Sequence, residues 1–195
     1  MFKTNTFFRA IVFALSTVAV SAVAAEETAY PLDVFPDESK QETDTGTGAQ
    51  LTYLTTNPAS DTNLYFHERS WSSDSTFIIF YSAREPGGLM GYIVATGELF
   101  RIATPSGAVG AATAAKNKNA VFALRGNEVV ELNVTIALAK NPKRKRSSVK
   151  VSERVICTLP ESSGTTALNE NSDGTKLAVG RPGTAGSDLP IVFVI

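Results

Sequence analysis

The chain has 195 residues, 43% hydrophobic and 19% charged, a balance that suits a folded domain and excludes disorder for its bulk. Eighteen basic and nineteen acidic side chains leave a formal net charge of −1, so no overall field argues for nucleic acid as a partner. One cysteine, Cys157, and one histidine, His67, exclude an internal disulfide and a multi-histidine metal site, and make Ser-His-Asp chemistry a poor expectation.

Residues 1–24 read as a secretory signal peptide. Lys3 and Arg9 supply the positive start, Ala10 to Val20 the apolar stretch, and Ala22-Val23-Ala24 the small-residue cleavage site. A membrane anchor needs about 20 apolar residues, and Ser16, Thr17 and Ser21 dilute this run. The expectation is export, to the periplasm or outside the cell, with no membrane attachment after cleavage. Residues 25–50 are polar and punctuated by Pro31, Pro36, Gly46 and Gly48, which predicts a linker; Pro31 to Pro36 within it is able to pack on the domain edge.

From Leu51 the pattern changes to short β-branched and aromatic runs. They are Leu51–Thr55, Phe77–Tyr81, Gly91–Val94, Glu98–Ile102, Ala120–Leu124, Glu128–Leu132, Arg154–Leu159, Lys176–Val179 and Ile191–Ile195. None carries a sustained helical period, so residues 51–195 are predicted to be all-β. The Ala-rich Gly110 to Lys116 reads as loop and buried strand rather than helix.

A repeat narrows the fold. Trp71 to Phe80 has a Ser/Asp turn followed by an apolar strand, and Ala115 to Ala123 and Asn171 to Val179 have the same shape. Aligning Asp74, Asn117 and Asp173 places Ile78, Val121 and Leu177 four positions on, with spacings of 43 and 56 residues. The first spacing matches a four-stranded propeller blade; an insert at Lys140 to Lys150 accounts for the longer second one. The expectation is a partial β-propeller of about three four-stranded blades, with an outer strand at Leu51. A propeller closes with at least four blades, so the chain is expected to be incomplete.

Arg69 to Ser82, with its aromatic-Ser-x-Asp core, resembles the repeat of periplasmic propellers of the Tol-system kind. A wider set, Leu51 to Thr55, Asn63-Leu64-Tyr65-Phe66-His67-Glu68-Arg69, the repeat core and Phe100-Arg101-Ile102-Ala103-Thr104, resembles the N-terminal part of the oligogalacturonate lyase family, which are seven-bladed propellers. That resemblance implies pectin degradation by β-elimination on short galacturonate chains. A base removes the proton α to the uronate carboxylate, and a divalent metal, manganese, binds that carboxylate. It implies an acidic oligosaccharide as partner. The family's metal ligands are mainly histidines in later blades, and no histidine follows His67. No catalytic residue and no metal ligand is therefore carried over, and the chain is expected to lack the family's activity. The alternative is a non-catalytic Tol-like propeller that binds protein or glycan.

The candidate substrate-binding residues are His67 and Arg69, just before an innermost strand where propellers gather ligand groups. A guanidinium there forks onto a sugar carboxylate; the competing reading pairs Arg69 with Glu68. Trp71 and Phe77 read as core aromatics, and Cys157 as a buried structural thiol. Asn169 to Gly174 reads as a hairpin turn rather than a calcium loop. The basic run of Lys140, Lys143, Arg144, Lys145, Arg146 and Lys150 reads as a solvated loop able to attract a polyanion.

Overall fold

The computed structural model describes residues 29–141, 145–159, 167–181 and 191–195. The expected signal peptide, and Lys143 and Arg144 of the basic run, lie outside them. Among the described residues the regular elements are all strands. Four precede the blades: β1 (Tyr30–Leu32), β2 (Val34–Phe35), β3 (Lys40–Thr43) and β4 (Gln50–Tyr53). The first blade holds β5 (Asp61–Thr62), β6 (Phe77–Ser82), β7 (Gly88–Ile93) and β8 (Leu99–Ile102). The second holds β9 (Ala112–Ala114), β10 (Ala120–Arg125), β11 (Glu128–Ala137) and β12 (Ser148–Thr158). The third holds β13 (Ala167–Glu170), β14 (Leu177–Arg181) and β15 (Ile191–Val194). Each blade is an antiparallel meander, and the molecule is a partial propeller.

The strands alternate between two apolar faces. Along β6, Phe77 and Ile79 enter the core shared with the second blade, while Phe80 and half-buried Ile78 enter a cluster with Met90, Tyr92 and Leu99 on the opposite face. Gly91 leaves room in the shared core for the Phe100 ring on the neighbouring strand: a Cβ at Gly91 would lie 2.1 Å from that ring.

The three aligned turns fall at one end of the blades. Asp74 accepts from the Thr76 amide at 3.0 Å and from the Thr76 hydroxyl at 2.7 Å. Asp173 accepts in the same way from Thr175. The second blade stitches both neighbours at this end. Its Asn119 donates to the Asp74 carboxylate, and its Asn117 donates to the Asp173 carbonyl at 2.9 Å. Gly174, at φ +74°, makes room for that amide.

The expected linker at 25–50 is corrected from Tyr30 onward, because its apolar side chains complete two sheets. β1 adds outside β12 and β2 outside β8, which makes both sheets five-stranded rather than four-stranded. Tyr30, Leu32 and Val34 pack on the shared core. Pro31, which has no N–H to donate, is tolerated because it sits on an edge strand. Leu51 is likewise no outer blade strand: β4 pairs with β3 as a separate hairpin, with Leu51 and Tyr53 exposed. The runs at Glu128 and Arg154 are longer than expected. Val134, Ile136, Val149 and Val151 continue the alternation, and the hairpin runs on to the Ala137↔Ser148 pair. Within it Val129 pairs with Cys157 and Val130 with Val155. The extra residue, Ile156, bulges, and Cys157 is left half-buried rather than buried.

Gly91→Ala is expected to cost about 1–3 kcal/mol by overpacking, read from urea unfolding, with part recovered in the Gly91→Ala/Phe100→Leu double variant. Simple additivity of the two substitutions would contradict this contact. The Asp74 turn makes a second prediction. Burial works against ionisation of Asp74, but hydrogen bonds from Thr76, Asn119 and Ser72 outweigh it and hold its pKa at about 2. Against an unfolded value of ~3.9, this contribution is complete above that value and is lost as pH falls through about 2. Asp74→Asn should therefore lower the urea midpoint at pH 7, with the gap from the parent chain closing only as pH falls below about 2.

Candidate functional site

The innermost strand of the first blade is interrupted. β5 pairs with β6 at Asp61↔Ser82 and Thr62↔Tyr81, and the chain rejoins β6 where the Ile79 amide donates to Ser70 at 2.8 Å and Trp71 bridges Ile78. Between them, Asn63 to Arg69 leaves the sheet. Hydrophobic burial anchors this excursion, because Leu64 is only 3% exposed within the shared core. The Ser70 hydroxyl closes its base by donating to Asn63 at 2.7 Å.

Its tip is a tight turn. The Glu68 amide donates to the Tyr65 carbonyl at 2.7 Å, and the Tyr65 amide donates back to the Glu68 carboxylate at 3.1 Å. Three consecutive rings fan out from it: Tyr65 and Phe66 lie 4.4 Å apart, and Phe66 and His67 3.8 Å apart, between centroids. They face solvent, with Tyr65 60% and Phe66 74% exposed.

The excursion is tied to the innermost strand of the second blade. The Arg69 amide donates to the Thr113 hydroxyl at 3.0 Å, and its carbonyl accepts from the Ala114 amide at 2.8 Å, both on β9. Burial pushes the Glu68 pKa up, against the opposing influence of the Tyr65 amide and of the Leu168 amide on β13. Tyr81 adds a further link from β6, accepting from the Ala112 amide at 3.0 Å and donating to the Gly110 carbonyl at 3.2 Å. Burial, with the Glu68 charge behind it, raises the Tyr81 pKa.

His67 and Arg69 therefore lie within this excursion, one exposed and the other half-buried. The expected position just before the innermost strand becomes a position inside its interruption. Glu68 directs its carboxylate to the Tyr65 backbone amide, and the Arg69 guanidinium has no hydrogen bond or ion pair among the described residues. A half-buried arginine in the same short segment as three exposed rings suits a planar anion carried on a sugar ring. Sequence reasoning missed Tyr65 and Phe66. The available signal was that three large rings in succession cannot share one face of a strand. Trp71, expected in the core, is 49% exposed, whereas Phe77 is fully buried as expected. Trp71 is displaced because it lies on the bridge that resumes the interrupted strand. Among the described residues no group of three or more His, Cys, Asp or Glu side chains is placed to hold a metal ion, so the donors here do not fit the manganese implied by the resemblance.

Fold and site together define a partial all-β propeller with an aromatic and cationic excursion on its inner edge. Solved structures place that fold more closely. The chain resembles an oligogalacturonate lyase in complex with manganese, at 19% identity over 81% of this chain and 39% of that one, with a TM-score of 0.53. It also resembles the oligogalacturonate lyase of Vibrio parahaemolyticus, at 16% identity over 76% of this chain and 37% of that one, with a TM-score of 0.55. The chain thus spans less than two-fifths of the length of either lyase, and what it shares with them is the fold. No family model matches the chain, and no curated protein matches it.

Two nearby substitutions separate anchor from tip. Leu64→Ala is expected to cost about 2–5 kcal/mol of folding stability, and Phe66→Ala less than about 0.5 kcal/mol, both from thermal or urea unfolding. Equal losses would mean that the exposed rings are structural.

Proposed function

We propose that this chain binds an acidic oligosaccharide, of the oligogalacturonide kind, on the inner-edge excursion. The observation that carries the reading is that one short excursion holds the exposed Tyr65, Phe66 and His67 rings together with half-buried Arg69, whose guanidinium is unpaired among the described residues. Arg69 forks onto a uronate carboxylate, which is recognition by charge and planarity together. The exposed ring faces pack on the apolar side of a pyranose. His67 lends a hydrogen bond to a ring hydroxyl. The backbone links to β9 hold the excursion in place before ligand arrives, which lowers the ordering cost of binding.

The likeness in fold to oligogalacturonate lyases supports this substrate class. In those terms the protein belongs to pectin degradation, and its signal-like start fits a periplasmic or secreted setting. No β-elimination step is assigned to Tyr65, Phe66, His67 or Arg69, so the role proposed for them is binding.

Trp71, the only tryptophan and half exposed, reports ligand near the excursion by fluorescence. Trigalacturonate should shift its emission saturably, while neutral maltotriose should not. Arg69→Ala should weaken binding roughly ten- to hundredfold, as expected for the loss of a charge-assisted contact. Unchanged affinity in Arg69→Ala, or equal binding of maltotriose, would overturn the reading. Incubation with digalacturonate and Mn²⁺ should give no keto product above background, and turnover would show that the chain does more than bind.

A further inference from the structure

The outer hairpin of the second blade outgrows its blade. β10 pairs with β11 only as far as Ala120↔Asn133, while β11 and β12 continue to Ala137↔Ser148. Four further residues of strand make an arm of about 14 Å. Val134 and Val149 hold its inner face against the first blade, Ile136 is half-buried there, and Leu138 near the tip is 54% exposed. The loop beyond is fixed at its base. Glu98 of the first blade, fully buried, accepts from the Ser147 amide at 3.1 Å and from the Ser147 hydroxyl. That hydroxyl also accepts from the Ala139 amide at 3.0 Å.

Between the arm and the first blade runs a groove of about 310 Å³, with Phe77, Ile93, Val134 and Ile136 along its apolar wall and Val94 and Leu138 at its edge. Leu138 also borders a second hollow, of about 500 Å³, which Lys140, Lys145 and Arg146 line. Lys140 and Lys145 are exposed and have no acidic partner among the described residues. The Asp74 carboxylate lines the groove as well, beside Asn119, and its charge turns an anionic group away from that end. The site is therefore polarised, apolar along its length and cationic at the tip of the arm.

We propose that this groove binds a fatty acid, with its alkyl chain along Val94, Val134 and Ile136 and its carboxylate between Lys140 and Lys145. A flat bilayer surface does not reach the wall of a concave groove, whereas a single chain does. A sugar acid finds no exposed ring to stack on here, since Phe77 is fully buried. The site is separate from the inner-edge excursion and does not rest on the oligosaccharide reading.

Calorimetric titration of the full chain with decanoate, below its micelle threshold, tests the proposal, with decanol and butyrate as controls for head and tail. Decanoate should bind saturably at one site, and each control at least tenfold more weakly. The Lys140→Gln/Lys145→Gln double variant should lose roughly tenfold or more in decanoate affinity, the loss of a charge-assisted contact, and leave decanol unchanged. Leu138→Gln should weaken both. These side chains are exposed, so circular dichroism and the unfolding midpoint should match the parent chain; if Leu138→Gln misfolds, the lysine variant decides. Decanoate binding that ignores the lysine charges, no saturable binding, tighter binding to anionic vesicles than to decanoate, or displacement of decanoate by trigalacturonate would overturn it. Trigalacturonate binding read at Trp71 should be indifferent to all three substitutions, so failure here leaves the inner-edge reading standing.

Discussion

The structure depends on one strand that buries both of its faces. Along β10, Val121 and Ala123 point into the core shared with the first blade, while Ala120, Phe122 and Leu124 point into the core shared with the third. A sheet that is apolar on both sides is stable only with a layer against each, so the second blade fixes the spacing of its neighbours. The inner strand shows the consequence. β9 is built from Ala112, Thr113 and Ala114, all buried, and side chains this small let the Arg69 backbone approach closely enough for two hydrogen bonds. The excursion that carries the candidate site is positioned by the packing of the middle blade.

Polar contacts set register around these cores rather than supply the main stabilisation. Glu131, buried on the face toward the third blade, is held between Lys118 and Arg154 at 2.6 Å each, and Lys118 also lies over the Phe122 ring. Burial opposes its charge, but the two cations prevail and lower its pKa. Arg125 links Glu128 and Glu153 at 2.9 Å, and Glu153 accepts from the Tyr30 hydroxyl of β1, whose pKa rises through burial and then through the Glu153 charge. Breaking one partner of such a set strands the other, whereas the intact set adds little over an apolar replacement. These groups therefore fix where β1 docks, in the way that Glu98 fixes the base of the arm.

The interior strands were legible in sequence because each carries its own signal. Phe77 to Phe80 and Ala120 to Leu124 are apolar at every position, and Asp74 and Asp173 mark the turns before their strands at a fixed offset. What escaped was long-range or at an edge. Tyr30 finds Val151 across 121 positions, and nothing local distinguishes an added edge strand from a linker with prolines. In the arm, the alternation of Val134 and Ile136 was present, but the adjoining cations made the segment read as loop. His67 and Arg69 stood out in the sequence, since their residue types suggest chemistry. Tyr65, Phe66 and Trp71 were not, because large aromatics are assigned to cores by default, and only the break in the innermost strand exposes them.

Both features proposed to bind ligands are departures from the repeat. The excursion at Asn63 to Arg69 interrupts the first blade's innermost strand, and the arm extends the second blade's outer pair. Neither costs the cores much, since Leu64 in one and Val134 in the other return an apolar side chain to the shared interior. The repeat keeps the positions that must be buried and leaves its insertions free to carry chemistry, which is how one architecture serves different ligands. Low identity to the lyases is compatible with a shared fold for the same reason: any apolar set with the same alternation builds the blades, while the rings at Tyr65 and Phe66 and the cations at Lys140 and Lys145 lie outside that requirement.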